Sequence, residues 1–189
     1  MNNMLLNNKE QCILNEFIGN YSKKIYGRDI AKRLKMNQKT VANILNRLEK
    51  EQILKFSTEG KNKYYFLNTF NYHLKEIIAM IEIKRKIDFL EKNKNIKDLF
   101  AKLEKKSKGI LILFGSYAKG KSNKESDLDV FSIGDIGQAH DLEDLYNIKI
   151  NIIKSTKDKF NKQEPIIREI INNHIILKGT EEFIELTWQ

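Results

Sequence analysis

The chain has 189 residues, a formal net charge of +9 and a single cysteine, Cys12. This length accommodates one large domain or two small ones. One cysteine excludes an intramolecular disulfide and a cysteine-rich zinc cluster, and no apolar run approaches the length of a membrane span. The first ten residues lack the basic lead and apolar core of a signal peptide, so we expect a cytoplasmic protein with no membrane partner.

The positive charge is concentrated in the first half of the chain. Residues 1–108 contain 24 Lys and Arg against 12 Asp and Glu, whereas residues 109–189 contain 10 against 13. A basic half of this kind commonly binds nucleic acid, although basic surfaces with no polyanion partner are also frequent.

Three short helices and a strand pair are predicted in this basic half, because apolar residues recur first at helical and then at strand spacing. In order they span residues 9–20, 27–35, 38–51, 53–58 and 63–67. Asn37 is a suitable N-cap for the third helix, and Gly60 permits a turn between the strands. This order of elements resembles a winged helix-turn-helix domain.

The resemblance implies double-stranded DNA as a partner, with the third helix in the major groove and the strand pair against backbone phosphate. The candidate groove residues are the amide and basic side chains on the outer helix face: Gln38, Lys39, Asn43 and Arg47. Lys61 and Lys63, at the tip of the strand pair, are candidate phosphate contacts. The alternative is a protein-docking domain whose polar helix face is only solvated.

A helical connector is predicted over residues 69–107. An apolar stripe that includes Ile77, Ile81 and Leu90 indicates a long helix, and a shorter stripe follows Asn95. Such a helix often pairs two subunits in winged-helix proteins, which implies a homodimer. The alternative is that it packs against its own two domains.

The residues from Gly109 to Ile133 form the most informative stretch, GILILFGSYAKGKSNKESDLDVFSI. A buried strand ends at Gly115-Ser116, and after a polar loop a second strand begins with Asp127 and Asp129. Alternation along a strand places the two aspartates on one face, where a divalent cation would relieve their repulsion. The Gly-Ser turn lets phosphate approach the backbone.

The Gly115-Ser116 turn followed by Asp127-x-Asp129 resembles the signature of the polymerase-β-like nucleotidyltransferase superfamily, in particular its minimal nucleotidyltransferase type. The resemblance implies nucleotide binding by Gly115 and Ser116, and catalytic and metal-binding roles for Asp127 and Asp129, with Mg²⁺ or Mn²⁺. ATP is the expected triphosphate, and Lys119 in the loop is a further candidate contact. The alternative is a solvated surface loop.

One position departs from the family. A third acid normally lies on a later strand, and here the corresponding strand over residues 148–153 carries Asn151. Asparagine binds Mg²⁺ more weakly than a carboxylate and is no general base. Four other acids are available, but they lie on no obvious neighbouring strand and are expected to be surface charge: Asp135, Asp141, Glu143 and Asp144.

The expected fold class is α+β, with an N-terminal winged helix-turn-helix at residues 1–68, a helical connector at 69–107, and a small α/β nucleotidyltransferase-like domain with a short mixed sheet at 108–189. We expect a DNA-binding protein that binds NTP with Mg²⁺. Transfer of NMP to a protein or other hydroxyl would match antitoxins of this family that adenylylate a toxin partner. The alternative is a non-catalytic transcriptional regulator that uses the second domain as a nucleotide sensor.

Overall fold

The computed structural model describes residues 6–123 and 125–188. The chain divides into two compact units between Ile81 and Glu82, and each unit is described by itself. Within the described ranges, none of the helices combines the length and apolar character needed to span a lipid bilayer.

The first unit consists of short helices and a three-stranded antiparallel sheet with the strand order β1-β3-β2. In chain order its elements are α1 (Asn8–Asn15), β1 (Ile25–Tyr26), α2 (Gly27–Leu34), α3 (Gln38–Lys50), β2 (Leu54–Glu59), β3 (Asn62–Leu67) and the first turns of α4 (Leu74–Lys92). The centre of the unit is formed by fully buried apolar side chains of these helices and of β2: Ile13, Leu14, Ile30, Leu45, Leu48 and Leu54.

Side-chain caps fix where two of these helices begin. Asn7 forms a capping box with Glu10 at the start of α1. Asn37 accepts hydrogen bonds from the amides of Lys39 and Thr40 at the start of α3, as predicted for an N-cap. These caps satisfy amides that have no acceptor inside the helix.

The hairpin between β2 and β3 is tighter than the predicted loop. Glu59 pairs with Asn62, which leaves a two-residue turn in which Gly60 has a φ of +60°. Glycine adopts this left-handed conformation without steric cost. The two-residue strand β1 is not predicted from the sequence, because two residues are too few to show a period.

The second unit is a four-stranded mixed sheet with helices on both faces, in the strand order β6-β5-β4-β7. After α4 and a short 3₁₀ turn, its elements are α5 (Lys97–Lys106), β4 (Ile110–Leu113), α6 (Gly115–Ala118), β5 (Leu128–Ile133), α7 (His140–Tyr146), β6 (Ile150–Ser155), α8 (Pro165–Asn172), β7 (Ile175–Lys178) and α9 (Thr180–Thr187). The pair β5–β6 is parallel, whereas β4 pairs antiparallel with both β5 and β7. The expected mixed sheet is therefore present.

Alternate residues of the sheet enter two separate cores. Leu111, Leu113 and Val130 pack on the side of α5 and α7, whereas Ile112 and Phe131 pack with residues of α8 and α9. This alternation requires a strand that is apolar on both faces, and the run Ile110–Leu113 meets that requirement.

One predicted element is wrong. The spacing of the isoleucines near the end of the chain predicts a helical region over residues 158–178. The structure has an α-helix there only from Pro165 to Asn172, and Ile175–Lys178 is the edge strand β7. The run of isoleucines continues helical spacing across the boundary, so periodicity alone does not separate the two elements. Asn173 ends the helix, and pairing with β4 determines the strand.

A buried charged cluster joins α4 to the segment between α8 and β7. The carboxylate of Glu82 lies 3.0 Å from Nε2 of His174, and Arg85 donates to Glu82 at 2.6 Å and to the carbonyl of His174 at 2.8 Å. Burial by itself would raise the pKa of Glu82, but the charges and hydrogen bonds of His174 and Arg85 lower it below its ordinary value.

Candidate functional site

The first part of the site is the turn at which β4 ends. The helix α6 begins at Gly115, directly after the extended residue Phe114. Gly115 has a φ of +69°, and a Cβ at this position would lie 2.2 Å from Oδ2 of Asp129. Because only glycine lacks that atom, the backbone of the turn is able to lie directly against the carboxylate.

Two carboxylates at the start of β5 form the second part. Asp127 precedes Leu128, the first residue of the strand, and Asp129 follows it, so both side chains lie on the face opposite Leu128. The carbonyl of Asp129 accepts a hydrogen bond from the amide of Phe114 at 3.0 Å, which fixes β5 beside the turn. Both aspartates are half-buried, whereas Leu128 is fully buried.

Asn151 joins the two carboxylates. It lies opposite Asp129 in the parallel register of β5 and β6. Its Nδ2 donates to Oδ2 of Asp127 at 3.2 Å and to Oδ1 of Asp129 at 3.1 Å. The sheet therefore places Asn151 beside both aspartates. Its neutral N–H donor lies between the two carboxylates, where a cation would also relieve their mutual repulsion.

Two lysines flank the carboxylates and the turn. Nζ of Lys149 lies 3.3 Å from Oδ2 of Asp127. Lys119, the candidate nucleotide contact that follows α6, directs its ammonium to Glu169 of α8 at 2.6 Å. A phosphate bound at the turn would therefore compete with Glu169 for the ammonium of Lys119. Ser116 is half-buried in α6, next to Gly115.

Neighbouring groups hold β6 and the turn in place. Glu143 of α7 accepts a hydrogen bond from the amide of Ile150 at 2.7 Å, and this bond together with His140 lowers the pKa of Glu143. The ionised carboxylate thereby fixes the residue that precedes Asn151. Burial raises the pKa of the Tyr117 hydroxyl, so this side chain of α6 stays neutral at physiological pH.

Two residues near the carboxylates, Lys149 and Glu169, are not predicted from the sequence. Lys149 precedes Asn151 by two positions, and alternation along a strand places both side chains on one face. The sequence pattern could therefore have predicted Lys149 at the site. Glu169 gives no such signal, because it reaches Lys119 only through the packing of α8 on the sheet.

The arrangement offers oxygen ligands for a cation beside the Gly115 turn. Within residues 6–123 and 125–188, no group of three or more His, Cys, Asp or Glu side chains is placed to hold a metal ion. A divalent cation at this point would be held by Asp127 and Asp129 together with oxygens of its ligand, which suits Mg²⁺ bound as a metal–phosphate complex.

A second surface lies in the first unit, between the start of α3 and the strand β3. The groove there is lined by Gln38, Lys39 and Lys63, and also by Arg28 and Tyr26. Three of the six candidate DNA contacts are therefore brought together. The ammonium of Lys63 lies 4.1 Å from the centre of the Phe56 ring, which holds this side chain along the hairpin.

The other three candidates lie outside the lining of this groove. Asn43 is exposed on α3, and Lys61 is exposed at the tip of the hairpin. Arg47 forms an ion pair with Glu10 of α1, whose side chain is only 6% exposed. Its guanidinium is therefore engaged by α1 within the same unit.

Comparisons with known proteins bear on the second unit. Residues 93–185 match the family described as a nucleotidyltransferase domain, and the matched range includes the Gly115 turn, both aspartates and Asn151. The chain is also similar to a proposed protein adenylyltransferase of Methanocaldococcus jannaschii, with 32% identity over an alignment that covers 39% of this chain and 83% of that protein. No solved structure matches the chain.

Proposed function

Because the chain belongs to the nucleotidyltransferase-domain family, we propose that its second unit binds a nucleoside triphosphate with a divalent metal ion and transfers the nucleoside monophosphate to a protein hydroxyl. One observation carries the proposal: the backbone of the Gly115 turn lies directly against the carboxylate of Asp129, so a phosphate bound at the turn would lie beside Asp127 and Asp129. ATP and a protein acceptor are proposed because the archaeal relative is named for protein adenylylation. On the basis of the resemblance to antitoxins that adenylylate a toxin, a toxin partner is a proposed protein acceptor.

In this proposal each residue of the site has a role. Gly115 and Ser116 bind phosphate, and Asp127 and Asp129 hold Mg²⁺ or Mn²⁺. Lys119 breaks its ion pair with Glu169 and binds a phosphate oxygen instead. A bound cation would neutralise negative charge on the phosphates. The acceptor hydroxyl oxygen bonds to the α-phosphorus, and the bond from that phosphorus to the leaving pyrophosphate breaks.

The hydroxyl proton decides how well this step proceeds. Asn151 occupies the place next to both carboxylates, and an amide does not accept a proton near neutral pH. The proton must then pass to one of the two aspartates, to water or to a group of the acceptor protein. This favours a second candidate function, a non-catalytic regulator in which the domain binds nucleotide and metal as a sensor.

The test is incubation of the purified protein with Mg²⁺ and each α-³²P-labelled NTP, with protein and nucleic-acid acceptors that include the products of neighbouring genes. Covalent label that is lost in the Asp127→Ala/Asp129→Ala variant supports transfer. Saturable NTP binding without label supports the sensor, and nucleotide binding unchanged in that variant contradicts the metal assignment.

For the first unit we propose a winged helix-turn-helix that binds double-stranded DNA. Helices α2 and α3 joined by a three-residue turn, followed by the β2–β3 hairpin, support this proposal. In it, Gln38, Lys39 and Asn43 face the major groove. Lys61 and Lys63 contact phosphate from the hairpin, and Arg47 approaches DNA only at the cost of its ion pair. Binding of duplex DNA across a salt series, with nucleotide absent, tests the proposal.

Self-association through α4 is a further part of the proposal. Ile83 and Ile87 are one helical turn apart, and about half of each side chain is exposed, 49% and 50%. Exposed isoleucines at this spacing support a homodimer. Light scattering tests it, because Ile83→Lys/Ile87→Lys should give a monomer if the parent is a dimer; a monomeric parent contradicts the proposal.

A further inference from the structure

The outer face of the sheet in the first unit carries aromatic rings and lysines that the transferase site does not use. The aromatic face is defined here as Tyr26 of β1, Tyr64 and Phe66 of β3, with Lys24 and Lys55 beside them. Only Tyr26, on the edge strand, also lines the groove that contains Gln38 and Lys39.

The strand register places these residues on one side. Tyr26 pairs with Tyr64 across β1 and β3, and Lys55 pairs with Phe66 across β2 and β3. Directly opposed residues of antiparallel strands project to the same face. Tyr65, between Tyr64 and Phe66, points to the other side, where it is buried and its hydroxyl reaches α3. The aromatic face therefore lies opposite α3.

Rings and ammonium groups are already arranged side by side on this face. The ring centres of Tyr26 and Tyr64 are 5.6 Å apart, with planes inclined by 36°. The ammonium of Lys24 lies 5.5 Å from the centre of the Phe66 ring. That of Lys55 lies 4.8 Å from the ring of Phe70, which is 88% exposed. Within the part of the chain that the structure describes, neither lysine is ion-paired with a carboxylate.

This combination identifies a ligand chemistry. Unpaired bases stack on exposed aromatic rings, and their phosphates are neutralised by cations at the rim of the stack. A duplex offers no free base faces, so a stacking surface selects single strands. The basic character of this half of the chain adds long-range attraction for a polyanion.

We propose that the aromatic face binds single-stranded nucleic acid, with bases stacked on Tyr26, Tyr64 and Phe66 and phosphates bound by Lys24 and Lys55. The proposal is independent of nucleotide binding in the second unit and of duplex binding by α3. Single-stranded DNA and RNA share the recognised chemistry, and the experiment separates them.

The experiment measures the affinity of the full chain for fluorescent dT₂₀ and rU₂₀ by anisotropy, with an unlabelled duplex as competitor. Phe66→Leu should weaken binding roughly tenfold, because it removes one stacking ring while keeping an apolar side chain. Tyr64→Phe keeps the ring and should bind as the parent does, whereas Tyr64→Leu should weaken binding. Lys24→Gln/Lys55→Gln should lower the salt slope by about 0.7 for each phosphate that the variant no longer neutralises.

Folding and alternative partners are controlled in the same series. Each variant is compared with the parent by thermal melting, and Lys92→Gln, an exposed lysine outside both surfaces, should leave single-strand affinity unchanged. The proposal is overturned if the leucine variants bind dT₂₀ and rU₂₀ as tightly as the parent does. This face would then be a surface for a protein partner. An equal loss of duplex and single-strand affinity in Phe66→Leu also overturns it, because the face then does not select unpaired bases.

Discussion

Asn151 and Asp129 lie directly opposite each other on parallel strands, and the amide of one donates to the carboxylate of the other at 3.1 Å. The same amide nitrogen also reaches Asp127. The position of the sheet that would complete a three-carboxylate site thus carries a neutral donor, which stabilises two adjacent carboxylates in the absence of metal.

Asn151→Asp should therefore increase NMP transfer. A third carboxylate supplies a metal ligand and a proton acceptor, and general base catalysis typically contributes about 100-fold or more. The same change adds like-charge repulsion, so the variant should melt at a lower temperature than the parent without Mg²⁺ and regain stability with it. Transfer measured with α-³²P-ATP and melting curves with and without Mg²⁺ check both effects. No gain in transfer and no response of melting to Mg²⁺ would contradict this role.

Gly115→Ala should abolish nucleotide binding and destabilise the second unit. The new Cβ meets Oδ2 of Asp129 at 2.2 Å, so the turn or the carboxylate must move. Gly120→Ala is the matched control, because Gly120 has a similar φ of +64° but open space around its Cβ position. The control should show only the conformational penalty of about 1–2 kcal/mol. Equally weakened nucleotide binding in the two variants would argue against a close approach at Gly115.

Glu82→Gln should destabilise the protein by about 3–5 kcal/mol at neutral pH, because His174 and Arg85 lose a buried carboxylate. Since the folded state lowers the pKa of Glu82, its contribution is present above the unfolded pKa of about 4.3 and is lost as pH falls through the folded pKa. The difference in urea stability between parent and variant should thus shrink at acid pH. Glu91→Gln, on the surface, is the control and should change little; a pH-independent difference would contradict the assignment.

Lys39→Ala and Arg47→Ala should separate DNA binding from stability. Lys39 is exposed in the groove, so its removal should weaken duplex binding and lower the salt slope by about 0.9 without changing melting. Arg47→Ala leaves the buried Glu10 without its ion pair, and should cost about 1–3 kcal/mol in urea unfolding. If Arg47→Ala melts as the parent does yet binds DNA more weakly than Lys39→Ala, then Arg47 contacts DNA directly.

Local patterns were sufficient for much of the fold. The N-cap at Asn37 is confirmed, because capping depends on residues within one helical turn. Strand alternation likewise predicts that Asp127 and Asp129 share a face. The helix expected through Lys178 is wrong, because isoleucines that satisfy helical spacing also satisfy the burial of an edge strand.

The sequence by itself determined the chemical groups at the site and their local order: a glycine at a turn, two alternating aspartates, and an asparagine on a later strand. Only the tertiary structure decided which of these groups meet. The parallel register of β5 and β6 brings Asn151 to both aspartates, and helix packing directs Lys119 to Glu169 and Arg47 to Glu10. Such contacts join residues far apart in the chain, so they depend on the packing of whole elements rather than on spacing along one of them.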